Sequence, residues 1–446
     1  MMAKVSPASG ARATGDLTRE HVLIPWETQG GPAPRIIDHA QGCDLYTSDG
    51  TRILDFSSGL VNVNIGHSHP RVVEAIRAQA GRLTFVNPSF STDVRARLAQ
   101  MLARLSPGGA LVKTFFTNGG AEANENAVKI ARLYTGRHKV LTSYRGYHGA
   151  TYGAITMSGD PRRWPAEPGV PGVVHFLTPY PYRSPFSVGP AQEGAAALAH
   201  LEHVLMYEGP ENVAAILIET IVGGSGLIVP PDGYLEGLRK ICDRHGILLI
   251  FDEVMAGFGR TGAWFACEHW NVVPDMLTFA KGVTSGYVPL GGVLVSAPVA
   301  RYFDDHILWA GLTYSGHALA CAAGCANLEV MEDEGLVERA RRLEGALGDR
   351  LRRLADRHPV VGDVRGKGLF WGVELVKDRG TREPWAPFSR SGPSPMKAFL
   401  RGAFDRGVYL IGRYNIFLVA PPLVISEEQI EEGVQAIDGA LAEAAG

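Results

Sequence analysis

The chain has 446 residues, a formal charge of −3, 46% hydrophobic and 20% charged residues. That length buries a large core and suits two or three domains, while the near-neutral balance removes the electrostatic case for nucleic acid or an anionic membrane as a partner. Apolar runs stay well short of the roughly 20 residues that span a bilayer, and the opening residues lack the charged, apolar, small-residue order of a signal peptide, so a cytoplasmic protein is expected.

Residues 1–15 are small, polar and aperiodic, and disorder is expected there. An apolar arm follows at 21–26. Short strands are expected at 36–40, 44–47 and 52–56, with Gly42 and Asp49-Gly50 at the turns. Helices are expected over 70–81 and 91–105. A strand at 111–116 runs into Thr117-Asn118-Gly119-Gly120-Ala121-Glu122, and a helix continues with Ala127, Ile130, Ala131 and Tyr134 at helical spacing. Strand, glycines and helix start together cradle phosphate, because glycine admits close backbone approach and the helix N–H groups face the anion. The bare Gly119-Gly120 pair is not the dinucleotide pattern G-x-G-x-x-G.

A strand at 139–142 leads to Tyr147-His148-Gly149. A flat aromatic at a strand end can stack on a ring, and His148 is a candidate proton carrier. The stretch 159–188 is rich in Pro, Gly and aromatics and reads as an irregular excursion. A helix at 195–207 precedes the apolar strand 213–218, which ends in Glu219; buried there, this carboxylate needs a partner. Further on, 293–295 reads as an edge strand and 318–334 as a long helix. Cys321 and Cys325 on that helix read as packing residues, the five cysteines are scattered, and no metal is expected. Arg413 stands before a strand at 416–419. It reads as a bidentate carboxylate ligand or as a solvated loop charge.

Two positions carry the chemistry. The apolar run 247–251 reads as a buried parallel strand and ends in Asp252-Glu253-Val254. A carboxylate at that end sits where α/β sheets bind ligands. A buried aspartate needs a cation, and a protonated pyridine nitrogen is one. The apolar run 277–280 leads to Lys281 and a glycine-rich turn. A desolvated amine has a lowered pKa and attacks carbonyls, although a lysine taken alone more often simply caps a strand end. Together, on neighbouring strands, the pair reads as a pyridoxal phosphate site.

The motifs Thr117–Glu125, Tyr147-His148-Gly149, Asp252-Glu253-Val254, Gly257-Phe258-Gly259-Arg260-Thr261-Gly262, Ala280-Lys281-Gly282 and Gly311–His317 occur in one order. In that order they resemble the class III (omega) aminotransferases, from about residue 34 to 437. Arg413-Tyr414-Asn415-Ile416 is similar to the taurine–pyruvate and amine–pyruvate subgroup. The resemblance implies an α/β fold, type I of the pyridoxal-phosphate-dependent transferases (aspartate aminotransferase-like). Its large domain, 67–329, would carry a mostly parallel seven-stranded sheet. A smaller α+β domain would combine 1–66, including the N-terminal arm, with 330–446.

The same resemblance implies pyridoxal 5'-phosphate, with its phosphate on Gly120 and Ala121 and Gly119 among the cofactor-binding residues; many members carry Ser in place of Ala121, so one hydroxyl donor is missing here. It places the ring between Tyr147 and Val254, His148 beside it, Asp252 on its nitrogen, Glu219 over the cofactor and able to pair with an arginine, and Lys281 in the Schiff base. Thr313 would reach the phosphate of the other subunit, which implies a homodimer with shared active sites. The implied substrate pocket comprises Trp26, Val61, Ser89, Tyr147, Glu219 and Arg413. Trp26 reads equally as a packing residue. Val61 and Ser89 stand where larger side chains are frequent, which would leave room for a wide amine. In many members the arginine swings aside for amines; the loop is short here.

The implied reaction is a ping-pong transfer of an amino group from an amine, an omega-amine or a bulkier amino sugar, to a keto acid such as pyruvate. An aminomutase or decarboxylating enzyme of the same fold shares the core motifs. A non-catalytic cofactor-binding relative would need a damaged site, and Lys281 and Asp252 are both present.

Overall fold

The computed structural model describes residues 7–388 and 394–445. Its centre is a seven-stranded sheet in the order Leu111–Thr117, Gly291–Ser296, Met276–Phe279, Leu248–Asp252, Val213–Glu219, Lys139–Ser143 and Val173–Phe176. Gly291–Ser296 is antiparallel to both neighbours, and the other six strands run parallel. Val213–Glu219, Leu248–Asp252 and Met276–Phe279 are buried at every position, as continuous apolar runs require of a sheet covered on both faces. Alternate residues serve opposite cores. Ile216, Leu249, Phe251 and Leu277 face one, with Leu235 and Leu238 of the helix Tyr234–His245. Ala215, Leu217, Ile250 and Met276 face the other, with Ala123, Ala127 and Ile130 of the helix Gly120–Thr135.

The two chain ends meet in a second region. Ile37–Gln41, Asp44–Thr47 and Arg52–Asp55 form a meander, and Val408–Tyr409 joins its edge in parallel, Val408 opposite Leu54. Val361–Lys367, Phe370–Asp378, Ile416–Val419 and Ile411–Arg413 form a third, antiparallel sheet. The helix Leu336–Arg357 buries Leu336, Ala340, Leu343, Leu347, Leu351 and Leu354, a three-and-four spacing that makes one apolar stripe.

Three expectations are corrected. Pro7–His21 is helical rather than disordered; Ala and Arg, both good helix formers, recur along it, and residues 1–6 lie outside the described ones. The stretch 159–188 contains the strand Val173–Phe176, paired in parallel with Lys139–Ser143; four residues between prolines and glycines are too few to show a period. The strand at 293–295 is internal, between two partners, as its unbroken apolar run requires; Leu111–Thr117 holds the edge. Among the described residues, no helix is long and apolar enough to cross a membrane.

Candidate active site

The C-terminal ends of the parallel strands converge. Glu219 is in register with Asp252, and Asp252 with Thr278, three residues before Lys281. This is the edge at which α/β sheets bind ligands. Asp252 is buried. Its Oδ2 lies 2.7 Å from His148 Nδ1 and accepts the Asn124 side-chain amide at 2.7 Å, while Oδ1 accepts the Val254 N–H at 3.0 Å. Asn124 is fixed in turn: its amide also donates to the His148 carbonyl, and its oxygen accepts the Thr278 hydroxyl at 2.7 Å. His148 Nε2 faces Thr142 Oγ1 at 3.2 Å. His148 is therefore a positioning group behind Asp252. Sequence reading missed Asn124; a polar residue beside Ala123 and Ala127 on a buried helix face was the available signal.

Lys281 is half-buried, at φ +48°, a left-handed conformation that a side chain adopts only when its surroundings impose it. Desolvation lowers its pKa from 10.5 to about 8; the carboxylates of Asp252 and Glu219 oppose the shift, and Arg162 and Arg413 add to it. Those four side chains are thus within electrostatic reach of one amine.

Glu219 is buried, and burial followed by the nearby Asp252 raises its pKa. Its oxygens accept the N–H groups of Tyr147 and Gly223, each at 2.8 Å. The Arg162 guanidinium lies over the Tyr147 ring at 3.5 Å, and Trp26 meets the same ring edge-on at 6.4 Å. Trp26 therefore packs at the site. Arg162 is buried. Its Nε donates to both oxygens of Asp160, at 3.0 and 2.8 Å, and its Nη2 also pairs with that carboxylate. Its Nη1 makes no hydrogen bond among the described residues. Sequence reading passed over Arg162; Asp160-Pro161-Arg162, an acid capping a short helical turn, was the signal. Arg413 ends the strand Ile411–Arg413, half-buried, in a tight hairpin opposite Ile416.

Gly119 precedes the helix Gly120–Thr135, whose first N–H groups have no side-chain cap. A Cβ on Gly120 would lie 2.9 Å from Val254 Cγ1, so Val254 packs directly on the turn. Gly149, at φ +139°, abuts Ala121: a Cβ there would lie 2.4 Å from the Ala121 methyl.

Val61 is buried in the main core with exposed Leu60 as its neighbour, and the segment that follows packs on the turn after Lys281, where a Cβ on Gly282 would lie 2.7 Å from Asn64 Nδ2. Ser89 is exposed and bonds Asn87, within the segment whose Phe85 meets Tyr314 edge-on at 5.8 Å. Thr313, beside Tyr314, is exposed.

The set fits pyridoxal phosphate. An uncapped helix start needs acceptors that a phosphate supplies. A buried carboxylate braced from behind by His148 and Asn124 suits a ring N–H. A desolvated lysine suits a carbonyl carbon.

The family model for Aminotransferase class-III matches residues 27–441. The chain is 44% identical to a taurine:2-oxoglutarate aminotransferase from Bifidobacterium kashiwanohense, whose crystal structure holds PLP and glutamate; the TM-score is 0.95, over 99% of each chain. It is 37% identical to an (S)-enantioselective omega-transaminase from Thermomicrobium roseum, with a TM-score of 0.92 over 98% of this chain and 99% of that one. It is 36% identical to the taurine–pyruvate aminotransferase of Rhodobacter capsulatus, over 94% of this chain and 93% of the relative.

Proposed function

The chain belongs to the class-III aminotransferases, and we propose that it transfers an amino group from an anionic amine to a keto acid carrying two acid groups, in two half-reactions at one site. The observation that carries this reading is the pair of guanidinium groups, Arg162 and Arg413, in the field of Lys281. One arginine suffices for the carboxylate of pyruvate. A second, stacked on Tyr147 and held from Asp160 through Nε and Nη2, suits a second acid group. The Bifidobacterium relative, named for 2-oxoglutarate, supports that acceptor, and the relatives named for taurine support an aminosulfonate donor.

Class-III enzymes use pyridoxal phosphate, which when bound supplies an electron sink for charge at the substrate carbon. The chain's own residues do the rest. Lys281 Nζ, neutral in a large fraction near pH 8, acts as nucleophile and then as the base and acid that moves a proton at the substrate carbon. Asp252, braced by His148 and Asn124, would hold the ring nitrogen protonated. Tyr147 and Val254 would bound the ring faces, and Gly119, Gly120 and Ala121 would take the phosphate. Thr313 would serve the site of a second copy.

Titration of the purified holoenzyme with single amines, without keto acid, tests the reading. Taurine or another anionic amine is expected to bleach the cofactor absorbance, and 2-oxoglutarate to restore it at lower concentration than pyruvate. Recovery by pyruvate alone would overturn the two-arginine assignment. Turnover of an amine without any acceptor would favour the mutase or decarboxylase reading instead.

A further inference from the structure

We infer that the buried pair Glu374–Arg365 is a positioning device that sets the separation of Arg162 and Arg413, and so the length of diacid that the enzyme accepts; this rests on the two-arginine reading above. Glu374 lies on the strand Phe370–Asp378 and is fully buried. Its carboxylate accepts Arg365 Nη1 at 2.8 Å, the Asn415 amide at 3.3 Å, the Tyr180 hydroxyl and the Arg183 guanidinium. A carboxylate out of water keeps its charge only when its lone pairs are met in this way, and here the donors come from three separate stretches of chain.

Two branches leave the pair. The first runs to Arg413. Asn415 is buried; its amide donates to the Leu375 carbonyl at 2.9 Å, and its own carbonyl accepts the Leu375 N–H at 2.7 Å. Asn415 is thereby bolted to the Glu374 strand, and only Tyr414 separates it from Arg413. Tyr414 sits at φ +56° against Phe388, ring centroids 4.5 Å apart. The hairpin that presents Arg413 is therefore held on both sides.

The second branch runs to Arg162. Arg365 donates to the carbonyls of Leu227, at 2.8 Å, and Gly226. These follow Ser225, whose hydroxyl donates to Asp160 Oδ2 at 2.9 Å. Asp160 is the carboxylate that holds Arg162. The branch also passes Glu219, which accepts the Gly223 N–H in the same loop. Both arginines within electrostatic reach of Lys281 are therefore referenced to one buried ion pair, and neither Glu374 nor Arg365 takes part in the chemistry described above.

Each branch can be cut alone. Ser225→Ala loosens only the Arg162 branch and is expected to raise KM for 2-oxoglutarate about tenfold while kcat, and both constants for pyruvate, stay near wild type. Asn415→Ala loosens the Arg413 branch and is expected to raise KM for both acceptors together. Glu374→Gln should disturb both. Calorimetric Kd values for the unreactive acids glutarate and propionate on the holoenzyme should follow the same pattern without turnover. If Ser225→Ala moves both acceptors equally, or lowers Tm and moves neither, the network is only structural and the inference falls. A wild type without preference for 2-oxoglutarate removes the two-arginine reading itself, and the inference with it, before any variant is made.

Discussion

At the scale of single residues, Lys281 shows how environment tunes an amine. Desolvation and two guanidinium groups lower its pKa to about 8. The sign is direct: the neutral amine is the nucleophile, so a lowered pKa enlarges the reactive fraction at a given pH. At pH 8 about half the amines are neutral, against less than about one in a hundred at the ordinary lysine value. In cofactor-free protein, labelling of Lys281 by an aldehyde with borohydride trapping should rise with pH around a midpoint near 8. In Arg162→Met the midpoint should move upward, since a cation that opposes the charged amine has gone; an unchanged or lower midpoint would separate Arg162 from the site. Lys281 and Asp252 were legible in the sequence because each ends an apolar run, where a lone charge stands out. Arg162 was not, because its role arises from contact with Tyr147, fifteen residues earlier in the chain, and from Asp160 and Ser225 beneath it.

At the scale of elements, the long buried strands and amphipathic helices were readable because burial on two faces, or on one stripe, imposes a pattern along the chain. Val173–Phe176 was hidden because four residues carry too little pattern, and its place beside Lys139–Ser143 is set by packing. The proposed phosphate cradle was readable as strand, glycines and helix, and these elements are present. Its second layer was not readable. Gly149 lies at φ +139°, where a Cβ would meet the methyl groups of Ala121, at 2.4 Å, and Ala154, at 2.9 Å. Gly149→Ala should therefore push Ala121 and the helix start outward, at a cost of roughly 1–3 kcal/mol. The expected result is a lower Tm and a cofactor that leaves on dialysis, read by the loss of its absorbance. Full cofactor retention with only a lower Tm would show that the contact supports the fold and not the cradle.

At the scale of the whole molecule, the chain brings its own ends together but leaves an apolar face open. Phe90 is 62% exposed, Trp309 70% and Tyr314 55%, on two segments joined by the Phe85–Tyr314 contact. Thr313 sits within this face, a hydroxyl among aromatics, and Ser89 lies on the neighbouring segment. Apolar surface of this kind calls for a partner, and a second copy that brings Thr313 to the phosphate of the first would account for both features. The test is complementation. Lys281→Ala lacks the nucleophile, and Thr313→Glu places a negative charge where the phosphate would lie, so each homodimer should be inactive. If Thr313 serves the opposite site, a mixed dimer contains one site with both native residues, and unfolding and refolding an equimolar mixture should recover about a quarter of wild-type activity, because about half the dimers are mixed and each has one intact site. If Thr313 served its own chain, every site in the mixture would carry one defect and nothing would be recovered. Silence from the refolded mixture, with a dimer present by light scattering, would therefore assign Thr313 to its own chain's site, whereas an active Thr313→Glu homodimer would return it to a surface role.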